Sequence, residues 1–405
     1  MTTQQTVTTI IVLLTYAGVA IGRIPGLRMS RATIALVGAA LLVLVGTINE
    51  QQAYSHIDLG TILLLGAMMV INANLRMAGF FDLIGAQVLR LARTPRMLLA
   101  LVIAASSILS AIFLNDPVCI LFTPFVVDLT LRLKRDPLPY LIGLGAAANV
   151  GSVATITGNP QNLIIGQSSG IPFLTFLAYL GPVAVVGLVI CWVVILVCYP
   201  GEFRGTLPTI AIEEPRTFKP LLNRTLLVVV MLMIAFLAGL PIVPSACIAA
   251  GLLLVSRLKP QKLLAIDWDL LAFFGGLFVV TGAIEVSGLS EQLFALVQPL
   301  LQGSVTTLSL MTGVLSNVVS NVPAVLLLRS EIPSLVNPQQ AWLTLAMSST
   351  LAGNLTLLGS AATLIVAEVA RTRGVHLGFM AFLRAGVPIT ILTLLIGIVW
   401  LTLVT

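Results

Sequence analysis

The chain has 405 residues, 58% of them hydrophobic and only 9% charged, with a mean hydropathy of +1.08. That composition cannot solvate a soluble domain and marks an integral membrane protein. A net charge of +6 would suggest nucleic acid in a soluble chain, but here Lys and Arg sit between apolar runs and report topology, so nucleic acid is excluded and the lipid bilayer is the expected surrounding.

Three apolar runs, Thr6–Gly22, Ala32–Gly46 and Leu59–Ile71, open the chain and are read as spans; with Phe173–Cys198 and Phe379–Val404 further on, the apolar runs mostly reach or approach the roughly 20 residues that cross a bilayer. The first has no basic segment before it and no small-residue cleavage site after it, so it reads as a span rather than a leader. Arg23, Arg28 and Arg31 follow the first run, and Arg76, Arg90, Arg93 and Arg96 follow the third, with no Lys or Arg between the second and third. Those exits are therefore expected in the cytoplasm. Next comes an apolar stretch broken at Asn115-Asp116-Pro117 and closed by Arg132, Lys134 and Arg135. Basic residues at both ends predict a re-entrant hairpin over about 97–131. A broken transmembrane helix over about 138–168, interrupted at Gly158–Asn162, leads to the span Phe173–Cys198. Residues 201–224, with four basic residues and three prolines, read as a cytoplasmic linker between a first repeat over 1–200 and a second over 225–405.

The second repeat follows the same plan. Asp58, Gly66 and Gly79 recur as Asp267, Gly275 and Gly288, an offset of 209; Asn115 and Pro117 recur as Asn321 and Pro323, an offset of 206; Gly158 recurs as Gly359, an offset of 201. The corresponding elements are the spans Thr225–Leu240, Pro244–Ser256 and Leu270–Val286, a hairpin over about 304–333 with its tip at Ser320-Asn321-Val322-Pro323, and a broken helix over about 341–369. A last span, Phe379–Val404, follows. With an odd number of crossings per half the second repeat runs inverted, both termini fall on the non-cytoplasmic side, and all Lys and Arg but Arg329 fall on the cytoplasmic side. Ser287–Gly303, the counterpart of the basic segment after the third span, carries Glu291 and no Lys or Arg. The fold class is all-α and polytopic: two inverted-topology repeats, each with a re-entrant hairpin and a broken helix.

Breaks at membrane depth are tolerated where they line a wet cavity or are buried in protein. Half-helix N-termini suit an anionic or polar solute, and unwound carbonyls suit a cation. The candidate solute and ion residues are Asn115, Asp116, Asn149, Thr155, Gly158, Asn159 and Asn162 in the first half, and Ser316, Asn317, Ser320, Asn321, Asn354, Thr356, Gly359, Ser360 and Thr363 in the second. Asp116, a carboxylate at membrane depth whose repeat mate is Val322, is the candidate carrier of a coupled proton. His56 and His376 read as loop residues too isolated to ligate a metal. No Gly-x-x-x-x-Gly-Lys-[Ser/Thr] loop and no nucleophile–base constellation occurs, so nucleotide-driven pumping and enzymatic function are not expected.

The segments Leu114-Asn115-Asp116-Pro117-Val118, Ala148-Asn149-Val150-Gly151-Ser152 with Gly158-Asn159-Pro160-Gln161-Asn162, Ser320-Asn321-Val322-Pro323-Ala324, and Gly353-Asn354-Leu355-Thr356 with Gly359-Ser360 occur in that order. In this combination the chain resembles the ion transporter superfamily, in particular the permeases grouped with ArsB arsenite antiporters, NhaD sodium/proton antiporters and the citrate-transporter-like domain. The resemblance implies a secondary active transporter of the inner (plasma) membrane. Such a protein moves an inorganic anion or a metalloid oxyacid such as arsenite by alternating access, with proton coupling. The alternatives are a sodium-coupled citrate or dicarboxylate carrier and a sodium/proton antiporter. It implies no cofactor beyond a coupling H+ or Na+, a small inorganic or organic anion as partner, and a possible homodimer.

Overall fold

A computed structural model describes residues 3–21, 29–208, 217–255, 266–289 and 304–405. The basic residues Arg23, Arg28, Arg216, Arg257, Lys259 and Lys262, and Glu291 of the second outer segment, lie outside them. The described residues form eighteen α-helices and one 3-10 turn. In the first half these are α1 (Thr3–Ile21), α2 (Arg31–Leu44), α3 (Glu50–His56), α4 (Leu59–Met77), α5 (Phe80–Leu91), α6 (Pro95–Ile112), α7 (Asn115–Arg132), α8 (Pro137–Ser152), α9 (Pro160–Ser169) and α10 (Phe173–Cys198). The second half contributes α11 (Lys219–Leu237), α12 (Ile242–Leu254), α13 (Trp268–Val286), α14 (Val305–Val319), α15 (Asn321–Arg329), α16 (Pro338–Ala352), α17 (Ala361–Thr372) and α18 (Phe379–Val404). Seven of these helices are long and apolar enough to cross a membrane.

Helices at corresponding places in the two halves begin with like caps. Asp58 accepts from Thr61 N (3.0 Å) at the start of α4, and Asp267 from Leu270 N (3.1 Å) at the start of α13. Thr94 and Ser304 cap α6 and α14. α8 and α16 start alike, with Pro137 after the cap Asp136 and Pro338 after the cap Asn337. Each cap satisfies an N–H that would otherwise be orphaned, and proline at the first helical position loses nothing there.

Matching helices also take reciprocal partners. α2 packs on α13 of the other half while α4 packs on α12; α7 packs on α17 while α15 packs on α9; and α10 lies against α18. Small residues allow the closest approaches. A Cβ on Gly151 of α8 would sit 2.5 Å from Ser107 Cα on α6, backbone contact of the kind that drives helix association in lipid. Leu13, Val185, Val197, Met231, Ile248 and Leu403 project outward from α1, α10, α11, α12 and α18 and are exposed, as lipid-facing residues are.

Several boundaries differ from the sequence expectation. α11 begins at Lys219, six residues inside the expected linker, because Pro220 starts a helix without a free N–H to lose. The linker is pinned at its other end: the Arg135 guanidinium donates to the carbonyls of Glu202 (3.2 Å), Arg204 (3.2 Å) and Thr206 (2.8 Å). α3 and α5 are short helices the apolar runs did not mark; α5 has a polar face carrying Asp82, Gln87 and Arg90. His56 is not a loop residue but the last residue of α3, with Nε2 3.5 Å from Glu285 Oε2.

Candidate solute and ion site

The first hairpin turns at Phe113 and Leu114, and α7 begins at Asn115. The Asn115 N–H donates to the carbonyl of Gly158 (3.0 Å), which ties this tip to the break between α8 and α9. Its amide donates to Asn149 Oδ1 (3.1 Å), and Asn149 Nδ2 reaches into the other half, to Asn354 Oδ1 (2.8 Å) and Ser360 Oγ (2.9 Å). Asn159 caps α9 through Asn162 N (2.8 Å) and donates to Ser152 Oγ (2.9 Å) and Thr350 Oγ1 (3.3 Å). Asn162 closes the break with bonds to the carbonyls of Ser152 (3.0 Å) and Thr155 (2.9 Å), and the Thr155 hydroxyl donates to the carbonyl of Ala111. At Gly158 a Cβ would lie 2.3 Å from the Ser152 carbonyl oxygen, so the break closes only around glycine.

The second half answers with different side chains at the same places. Ser360 caps α17 through Thr363 N (3.2 Å), and the Thr363 hydroxyl donates to the Leu357 carbonyl (3.0 Å). Asn317 donates to the carbonyls of Gly313 (3.0 Å) and Ala352 (2.9 Å), and accepts from Thr356 Oγ1 (3.5 Å). The tip residue Ser320 takes φ +77°, a region where a Cβ is strained, whereas its repeat mate Leu114 is extended at φ −63°. Asn321 follows. In the amide orientation that satisfies its neighbours, Nδ2 faces the carbonyls of Gly359 (3.0 Å) and Ser349 (3.2 Å), and Oδ1 accepts from Gln161 Nε2 (3.3 Å). Ser316 Oγ donates to the Ser349 carbonyl (3.0 Å).

All sixteen candidate residues thus fall at the two tips and two breaks, but they divide in role. A void of about 50 Å³ is walled by both tips and both second half-helices, including Asn115, Asp116, Ser320, Asn321, Ser360 and Gln161. It shares Arg31, Asp116, Leu270 and Ala361 with a cavity of about 580 Å³ that extends past Asn72 and Arg76 to Glu368. The other eleven, Asn149, Thr155, Gly158, Asn159, Asn162, Ser316, Asn317, Asn354, Thr356, Gly359 and Thr363, line neither space and brace the breaks from behind. Around the first break, Ser110 Oγ, Asn115 Oδ1, Thr157 Oγ1 and Asn162 Oδ1 are buried and lack a hydrogen-bond partner in the protein.

Asp116 lines both spaces, and Arg31 and Asp267 act on its charge. Arg31 is the residue the sequence reading missed. It counts equally well as a topology marker there, and only the pairing of α2 with α13 carries it to the tips. Asn72 also escaped notice. A polar residue in the middle of Leu59–Met77 was the available signal.

The cavity runs along one face of α4, formed by Met69, Asn72, Ala73 and Arg76. The matching face of α13, at an offset of 209, is Phe278, Thr281, Gly282 and Glu285, and it is filled by the protein itself. The Arg329 guanidinium carbon stands 5.3 Å above the Phe278 ring; Tyr16 OH is 3.2 Å from Thr281 Oγ1; the His56 ring covers Gly282, where a Cβ would meet it at 2.5 Å, and pairs with Glu285.

A sequence profile described as "Citrate transporter" matches residues 16–352. The chain belongs to this citrate transporter family. Among its relatives, the silicon efflux transporter LSI3 of Oryza sativa subsp. japonica is 31% identical over 93% of both chains. The inner membrane protein YbiR of Escherichia coli K12 is 31% identical over 86% of this chain and 88% of its own. The putative transporter arsB of Dictyostelium discoideum is 24% identical over 92% and 87%. The crystal structure of the Alcanivorax borkumensis YdaH transporter, whose topology is described as unusual, superposes with a TM-score of 0.61 over 99% of this chain and 97% of that one, at 14% identity. This citrate transporter family member is accordingly a membrane transporter of the ArsB/NhaD-type ion transporter superfamily, and not an enzyme.

Proposed function

We propose that this transporter moves a small inorganic oxyacid or oxyanion, of the arsenite or silicic acid type, by alternating access, with Asp116 carrying a coupled proton. The carrying observation is the contrast between two matching helix faces: that of α4 opens on a cavity ending at both tips, and that of α13 is plugged by Tyr16, His56 and Arg329. Two inverted repeats caught in unlike states give a site open to one side only. We further propose an inner-membrane protein with two repeats, 1–200 and 225–405, both termini outside and the large cavity facing the cytoplasm, as the basic residues Arg31 and Arg76 at its wall suggest. A homodimer is part of the same proposal.

The charges around the cavity favour an oxyacid over citrate. Its wall carries the guanidiniums of Arg31 and Arg76 but the carboxylates of Asp116, Asp267 and Glu368, a set that repels a tricarboxylate. The names of the rice and Dictyostelium relatives point the same way. Sodium coupling is the second reading, and it is favoured by the four partnerless oxygens about the first break, since buried oxygens without donors suit a hard cation. Purified protein in liposomes, offered arsenite, silicic acid, sulfate and citrate under an imposed pH or sodium gradient, tests both. Oxyacid flux driven by the pH gradient is expected; citrate flux driven only by sodium would overturn the proposal.

A further inference from the structure

The cavity-facing side of α4 holds one buried polar side chain that the protein leaves unanswered. Asn72 lines the large cavity, is 4% exposed, and finds no hydrogen-bond partner in the protein for either Nδ2 or Oδ1. Two residues on, Asn74 turns its amide back on its own helix, with Nδ2 donating to the Val70 carbonyl at 2.8 Å. Asn72 makes no such bond. Its repeat mate Thr281 is satisfied by Tyr16, so the same position is answered from within the protein in the half that is plugged, and is left unpaired at the cavity wall in the half that is not. Buried polar groups are paired as a rule, and an amide left with donor and acceptor both free beside a cavity awaits a partner from that cavity.

We propose that Asn72 is a solute-binding residue that selects hydroxyl-bearing oxyacids. Resting on the oxyacid reading above, it adds a contact from a helix outside the hairpins and broken helices. A protonated oxyacid hydroxyl both donates and accepts, and so satisfies Oδ1 and Nδ2 together. A fully ionised oxyanion or carboxylate offers acceptors only and leaves Oδ1 orphaned, as well as meeting Asp116 across the same space. A site built to hydrogen-bond a hydroxyl discriminates strongly against solutes without one.

The test uses the full-length protein in liposomes, with silicic acid and arsenous acid as probes and sulfate as the acceptor-only control. Asn72→Leu keeps the volume and removes both hydrogen-bonding atoms. It should raise KM for both oxyacids about tenfold or more with kcat changed less than about threefold, which is the signature of lost binding. Asn72→Gln should restore part of the loss. An unchanged KM in Asn72→Leu overturns the inference while leaving the transport reading intact. Wild-type protein that moves neither oxyacid overturns both. As a check independent of transport, Asn72→Cys should react with a water-soluble thiol reagent added from the cavity side, and silicic acid should slow that reaction. A rate unaffected by saturating silicic acid would also overturn the inference.

Discussion

Asn149 Nδ2 donates to Ser360 Oγ at 2.9 Å, and the residues at matching positions repeat the bond with the halves exchanged, Asn159 Nδ2 donating to Thr350 Oγ1 at 3.3 Å. The two breaks are therefore stitched to one another by a reciprocal pair of polar bonds. They are held as one body.

Asn149 is a costly member of that stitch to lose. Asn149→Ala leaves Asn115 Nδ2, Asn354 Oδ1 and Ser360 Oγ each short of a bond, at about 1–3 kcal/mol for each buried group left unpaired. The expected result is a melting temperature lowered by several degrees together with loss of transport. Asn115→Ala orphans only Asn149 Oδ1 and should abolish transport with a smaller thermal shift. Equal melting temperatures for wild type and Asn149→Ala would contradict this.

Asp116→Asn keeps shape and hydrogen-bonding reach at the wall shared by the two cavities, but cannot cycle a proton. Uptake driven by a pH difference should be lost while exchange of labelled for unlabelled solute persists. A variant that still concentrates solute under a pH gradient would move the coupling site elsewhere.

Gly151→Ala drives a methyl into Ser107 backbone atoms, the nearest at 2.5 Å. Backbone cannot step aside as a side chain does, so destabilisation of about 1–3 kcal/mol or more is expected, seen as poor monodisperse yield in detergent. Gly66→Ala, with nothing within 4 Å of the added carbon, is the matched control and should express like wild type.

Arg135 and Val336 occupy matching positions at an offset of 201, and Val336 is fully exposed. Under the inverted topology, cysteines at Lys134 and Val336 label from opposite faces of the membrane, Lys134→Cys from the cytoplasm. Labelling of both from one face would sink it.

Glu202 lies outside the spans, and burial pushes its pKa up, only partly offset by the Asp136 N–H, the Tyr140 hydroxyl and Arg135. A carboxyl whose folded pKa is raised favours folding below its unfolded pKa, near 4.3 for an ordinary Glu, and loses that contribution as pH rises through the folded value. The melting temperature of wild type relative to Glu202→Gln should fall as pH is raised from about 4 to about 7. A margin that grows with pH would reverse the sign.

Much of the architecture was legible because lipid leaves the backbone few options. The breaks at Asn115, Gly158–Asn162, Asn321 and Gly359–Thr363 fall where Gly, Pro and small polar residues interrupt apolar runs, and α8–α9 and α16–α17 lie close to the predicted 138–168 and 341–369. The helices α3 and α5 were not legible, since each is short and α5 is amphipathic rather than continuously apolar. The candidate residues fall at the tips and breaks, but their spacing did not separate those that wall the void from those that brace the breaks. Whether an Asn such as Asn162 faces a solute or a neighbouring carbonyl depends on rotamers and on partners some ten or two hundred residues away, which spacing does not encode. Arg31 and Asn72 reach the cavity only through pairing between the halves, and no local pattern announces that.

The exchange of partners between halves, α2 with α13 and α4 with α12, also governs how the chain is made. While the ribosome is still on the first half, α2 and α4 have left the exit tunnel with these packing faces uncovered, and the faces stay uncovered until α12 and α13, residues 242–286, are synthesised. The chain is therefore inserted by way of a half-built intermediate that still lacks these partners. A premature stop after α10 leaves α2, α4, α7, α9 and α10 without their neighbours from the second half rather than yielding a small working carrier.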